Sequence, residues 1–116
     1  MKLFGRTIKI NFIDEELMPQ SVGMANILKG KIDVTNNMSD DSTNATILHE
    51  TIHLISDMLN LELNEKQVFG LENGIYSFLK DNGIEVDFMK SEEIPQEKKY
   101  EGNRGIKNLS NNTENV

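Results

Sequence analysis

Cysteine is absent from this chain, which excludes a disulfide framework and a thiolate metal site, so any bound metal must rest on histidine and carboxylate. Basic charge is scarce: 12 lysines and arginines stand against 19 aspartates and glutamates, for a net charge of −7. Nucleic-acid affinity draws on clustered cations, so this balance argues against a phosphate-binding surface and no nucleic-acid partner is expected. The one basic cluster, Lys98, Lys99, Arg104 and Lys107, falls in a polar C-terminal segment and reads as part of a solvated tail. Apolar runs long enough to cross a bilayer are also missing. The N-terminal residues MKLFGRTIKI are charged and alternating, unlike a secretory leader, so the expectation is a soluble, cytoplasmic protein with no membrane partner. On that expectation the glycosylation sequons at Asn44, Asn108 and Asn111 are incidental.

What is present suits one globular domain, with 37% apolar and 27% charged residues in 116. Its expected extent is residues 1–90, followed by a polar, flexible tail over 91–116 that is too poor in apolar anchors to offset the entropy of ordering. From Thr7 to Ile13 the residues Ile8, Ile10 and Phe12 alternate with Lys9 and Asn11, the pattern of a strand with one buried face. Met24 to Leu28 and Lys31 to Val34 read as two short strands joined at Lys29-Gly30. Ile84, Val86 and Phe88 alternate with Glu85 and Asp87 and suggest a last strand over Ile84 to Met89. The six methionines read as adaptable core filler.

Two helices lie between these strands. The run from Asn36 to Thr43 is rich in capping residues and acids, and Ile47, Leu48, Ile52, Ile55 and Leu59 then recur at helical spacing, which predicts a helix from about Ser42 to Asn60. Asn64 with Gln67 forms a capping-box signature, and Leu63 can pack on Val68 across the start of a second helix. Val68, Leu71, Ile75, Phe78 and Leu79 form its apolar stripe, and Asp81-Asn82-Gly83 ends it. The expected class is therefore α+β, with a small antiparallel sheet of about three strands packed on an antiparallel helix hairpin.

The chemistry sits in the first helix. His49 and His53 are four residues apart, so both imidazoles leave one helix face toward a common point, and Glu50 flanks it. In such a motif two histidines and one further ligand hold Zn²⁺, the open position takes water of lowered pKa, and the glutamate serves as general base. The chain has only two histidines, and random placement would give this spacing with a following glutamate in roughly 0.2% of cases. The expected assignments are His49 and His53 as metal ligands, Glu50 as catalytic base, and a protein or peptide as substrate.

The third ligand is open among the acids that follow, Glu62, Glu65 and Glu72. In an ideal antiparallel hairpin His53 lies about seven residues before the turn and Glu72 about eight after it, so their levels match. Glu72 also shares a face with Val68, Ile75 and Leu79, where an acid needs a partner. Glu65, in the first turn of the second helix, requires the connection Leu61 to Leu63 to run backward. As a non-ligand, Glu72 would accept a hydrogen bond from a histidine N–H. Asp57 and Tyr76 stand near the motif, and their ordinary readings are a solvated helix acid and a core tyrosine.

The order of short strands, then ATILHETIHLI, then LNEKQVFGLENGIYSFLKDN resembles the small zincin-like metallopeptidases of phages and mobile elements, related to the ImmA/IrrE-like group, over roughly residues 1 to 83. HETIH is the one highly specific element. The resemblance implies a zinc peptidase acting on a protein in phage or mobile-element regulation, since ImmA-like relatives cut repressors. It also implies that the third ligand is the glutamate three residues before an apolar residue early in the second helix. Glu65, three before Val68, fits that pattern, and Glu72 stands where the pattern has no acid. The eighteen residues between His53 and Glu72 instead resemble the spacing of gluzincin-type peptidases. Glu65 is the expected ligand and Glu72 the alternative.

Overall fold

The alternation of Ile8 and Ile10 in the sequence becomes one wall of the core in the computed structural model, which describes residues 1–89. The chain runs β1 (Lys2–Leu3), β2 (Arg6–Thr7), β3 (Lys9–Ile13), a 3-10 turn (Glu15–Leu17), β4 (Gly23–Asn26), β5 (Lys31–Thr35), α1 (Asp40–Leu59) and α2 (Glu65–Asp81). The tail expected over 91–116, with its basic cluster, lies outside the described residues. The class is α+β, as the sequence suggests.

The sheet differs from the all-antiparallel arrangement expected for it. Its strand order is β3-β5-β4, with β4 antiparallel to β5 but β3 parallel to β5. Alternation reports which face of a strand is buried and says nothing of its neighbour. The central place goes to β5, whose Ile32 and Val34 are fully buried, and this leaves β4 as an edge. A hairpin between β4 and β5 forms, but β4 ends at Asn26 instead of Leu28 and residues 27–30 make the turn, with Asn26 Oδ1 accepting from Lys29 N–H at 3.0 Å and Gly30 at φ +62°. A second, two-stranded ladder pairs β1 with β2 across Phe4 and Gly5, whose φ values of 52° and 78° suit a two-residue hairpin turn. Phe12, expected on the buried face, is 45% exposed.

Ile8, Ile10, Ile32 and Val34 from the sheet meet Ile47 and Leu54 from α1 in one core cluster, with Met1, Met38, Met58 and Met89 packed around it. Each such aliphatic side chain contributes about 1.5–3 kcal/mol on burial. The face of α1 that carries Ile47 and Leu54 is therefore fixed against the sheet. The helix starts two residues earlier than expected because Ser39 is its cap, accepting from Ser42 N–H at 3.1 Å. The last expected strand does not form: residues 84–87 have no regular structure, and the Phe88 N–H donates to Asn44 Oδ1 at 2.7 Å instead of to a ladder. Phe88 still packs against the core.

Candidate metal centre

His49, Glu50 and His53 sit in the middle of α1, between the core residues Ile47 and Leu54. The geometry of the centre depends on how the chain returns from α1 to α2. Asn60 ends α1 in the left-handed region at φ 56°, and Glu62 follows at φ 59°. Around them, Leu61 N–H donates to Ser56 O at 2.9 Å and Leu63 N–H to Ser56 Oγ at 3.0 Å, folding the link back on the last turn of α1. The expected capping box then starts α2, with Asn64 N–H donating to Gln67 Oε1 at 2.9 Å and Gln67 N–H to Asn64 Oδ1 at 2.8 Å. Glu65, the first residue of α2, is thereby delivered to both imidazoles.

Nε2 of His49 lies 2.9 Å from Glu65 Oε2, and Nε2 of His53 lies 2.9 Å from Glu65 Oε1. One ligand atom from each of His49, His53 and Glu65 falls within 4.8 Å of the others, a grouping compact enough to surround one cation. Glu72 takes a different place. Its Oε1 lies 2.9 Å from Nδ1 of His49, on the ring edge away from Glu65. Glu62 is not part of the group. Relative to the ideal hairpin, α2 is shifted by about one turn along α1, so Glu72 meets His49 instead of His53.

The donor set fits a divalent cation. Carboxylates only accept hydrogen bonds, and His49 has carboxylate oxygens at 2.9 Å from both ring nitrogens. With both carboxylates ionised and no cation, the two contacts are hydrogen bonds only when both ring nitrogens carry protons. A metal held at Nε2 would take the place of one of those protons and leave Nδ1–H to donate to Glu72, the arrangement that fixes the tautomer of a ligating histidine. Burial lowers the His49 pKa, but the hydrogen bonds to Glu72 and Glu65 and the charges of Glu65 and Glu50 raise it overall. Burial also opposes the change at Glu65, which the bonds and charges of the histidines hold below the ordinary glutamate range. Glu50 moves the other way. Burial pushes it up, with Glu65 adding to the rise, against His53, His49 and a backbone hydrogen bond from Ala25.

A cleft of about 520 Å³ opens over His49, Glu50, Glu65 and Glu72, between the start of β4 and the two helices. Its walls include Val22 and Gly23, Thr46 of α1, and Phe69 of α2. The Phe69 ring stands edge-on to His49 at 5.6 Å between centroids, with 89° between the planes. Gly23, Phe69 and Ser56 are the participants that motif reading misses. A glycine inside a short strand is a known sign of close backbone approach, and Phe69 lies one helical turn beyond Glu65. Nothing in the sequence distinguishes Ser56 from an ordinary helix serine.

The two nearby candidates fall into place as structural residues. Tyr76 Oη donates to Asp41 Oδ1 at 2.8 Å, tying α2 to the first turn of α1, and burial first, then Asp41, raises its pKa to about 12. Asp57 is exposed, and its carbonyl accepts from the Asn60 N–H. Among the described residues no helix is long and apolar enough to cross a membrane. No protein-family model, curated protein or solved structure matches this chain.

Proposed function

We propose that this protein is a zinc-dependent peptidase that hydrolyses a peptide bond of a protein substrate. The convergence of His49, His53 and Glu65 on one point, beside a cleft that His49, Glu50 and Glu65 line, carries the reading. Bound by these three side chains, Zn²⁺ would polarise a carbonyl and favour ionisation of water. Glu50 would accept the proton of the attacking water and return it to the nitrogen as the C–N bond breaks, so no covalent enzyme intermediate is needed. Its raised pKa suits both halves of that transfer. Glu72 would hold the His49 ring in place through Nδ1.

The cleft borders the edge strand β4, so a substrate in extended form can lie along that edge and bond through its main chain. The resemblance of HETIH and its surroundings to ImmA-like peptidases extends the proposal to a regulatory protein of a phage or mobile element, cut in the cytoplasm.

The test is metal content of the purified protein, followed by Glu50→Gln. The variant should bind zinc as the parent does and lose cleavage. Full biological activity in Glu50→Gln would replace this reading with that of a binding or inhibitor module on a zincin-like scaffold.

A further inference from the structure

Gly23 opens β4 at the wall of the cleft, and its φ is not positive, so backbone conformation alone does not call for glycine there. Space does. A Cβ on residue 23 would fall 2.6 Å from Thr46 Cγ2, 3.1 Å from Glu50 Cγ and 3.1 Å from Glu50 Oε2. By contrast, a Cβ at Gly70 or Gly74 on α2 meets nothing within 4 Å. Two residues along the same strand, the Ala25 backbone acts on the Glu50 carboxylate and opposes the rise in its pKa. The edge strand therefore bears on Glu50 at two residues, at Gly23 through absent volume and at Ala25 through its backbone.

We infer that Gly23 is a positioning residue for Glu50: the missing side chain lets the carboxylate lie between β4 and the two histidines. The inference rests on the proposal that Glu50 is the general base. Both contacts involve the carboxylate or the carbon next to its stem, so a methyl group at 23 moves the atoms that exchange the proton. A base must lie within hydrogen-bond reach of that proton, and misplacement by about 1 Å costs about 100-fold. A shift of a few tenths of an ångström should then cost about tenfold in kcat, with KM nearly unchanged.

Gly23→Ala and the double variant Gly23→Ala with Thr46→Ser, made in the full chain, separate the two contacts. The serine removes Cγ2, the atom of closest clash, and leaves the contacts with Glu50. Zinc affinity, read by competition with a chromophoric chelator, should stay near the parent value in both. The loss in kcat on fluorescein-labelled casein should persist in the double variant. The ¹³C resonance of the Glu50 carboxyl carbon reports its surroundings without reference to hydrolysis, and it should shift in Gly23→Ala. If the parent protein never cleaves while that resonance responds to Gly23→Ala, the peptidase reading falls and the positioning stands. Parent kcat in Gly23→Ala, full recovery in the double variant, or a Glu50 carboxyl resonance unmoved by Gly23→Ala would overturn the inference.

Discussion

Glu72 meets His49 through Nδ1 at 2.9 Å, on the side of the ring that faces away from the point shared with His53 and Glu65. That relationship ranks the two glutamates. Removing an outer partner of a ligating histidine costs about 10–100-fold in metal affinity, whereas removing a ligand from a three-residue site costs more. Glu72→Ala should therefore weaken zinc binding by about 10–100-fold and Glu65→Ala by more than that. Competition with a chromophoric chelator measures both, and the reverse order would make Glu72 the ligand.

The metal-free and metal-loaded proteins should respond to pH with opposite sign. The His49 pKa is raised from 6.5 in the folded metal-free chain, with burial opposed and outweighed by the bonds to Glu72 and Glu65. The corresponding stability is fully present below the unfolded value of 6.5 and is lost as pH rises through the folded value. With zinc, binding requires deprotonated imidazoles, so stability should grow over the same range. Melting temperatures across about pH 6 to 8, with chelator and with zinc, test this. Parallel slopes would mean that His49 is not a shared partner of carboxylates and metal.

The helices were legible because their signals are local. Asn64 and Gln67 form their box within four residues, and His49 with His53 needs only the helical period to share a face. Strand neighbours were not legible, since the same alternation in Lys9–Ile13 suits a parallel or an antiparallel partner, and β5 takes the centre by virtue of its burial. The alternation of Ile84, Val86 and Phe88 misleads because Asn44 supplies the acceptor for the Phe88 N–H. Where Glu65 and Glu72 stand relative to the two histidines depends on the path of the interhelix link. That path turns on two non-glycine residues with positive φ, Asn60 and Glu62, and the second carries no sequence signal for that conformation.

Tyr76 should act on stability and titration, not on catalysis. Its hydroxyl is engaged by Asp41 on the first turn of α1, so it is not free to donate to a substrate. Tyr76→Phe should keep kcat within about twofold and lose about 0.5–1.5 kcal/mol of stability, the usual net value of one hydrogen bond. Absorbance titration of phenolate formation should show one tyrosine near pH 12 in the parent that vanishes in the variant. A large fall in kcat would mean that the Tyr76 hydroxyl acts on the substrate.

Ser56 gives the most direct test of how the fold builds the site. It is buried near the end of α1, three residues after His53, and its hydroxyl and carbonyl hold Leu63 and Leu61 at the point where the chain reverses. Ser56→Ala removes the acceptor for Leu63 N–H and should cost about 1 kcal/mol. In a domain of this size that lowers the melting temperature by about 4–8 °C. The informative effect is on the metal. Glu65 lies two residues after Leu63, so loosening the link should free Glu65 while His49 and His53 stay fixed on α1. Zinc affinity should fall in Ser56→Ala by more than in Tyr76→Phe, although both variants lose a hydrogen bond of α1, to the link in one and to α2 in the other. The comparison works because Tyr76 ties the far end of α2, remote from Glu65. Equal zinc affinity in the two would mean that the capping box at Asn64 alone places Glu65, and that the reversal through Ser56 serves stability only.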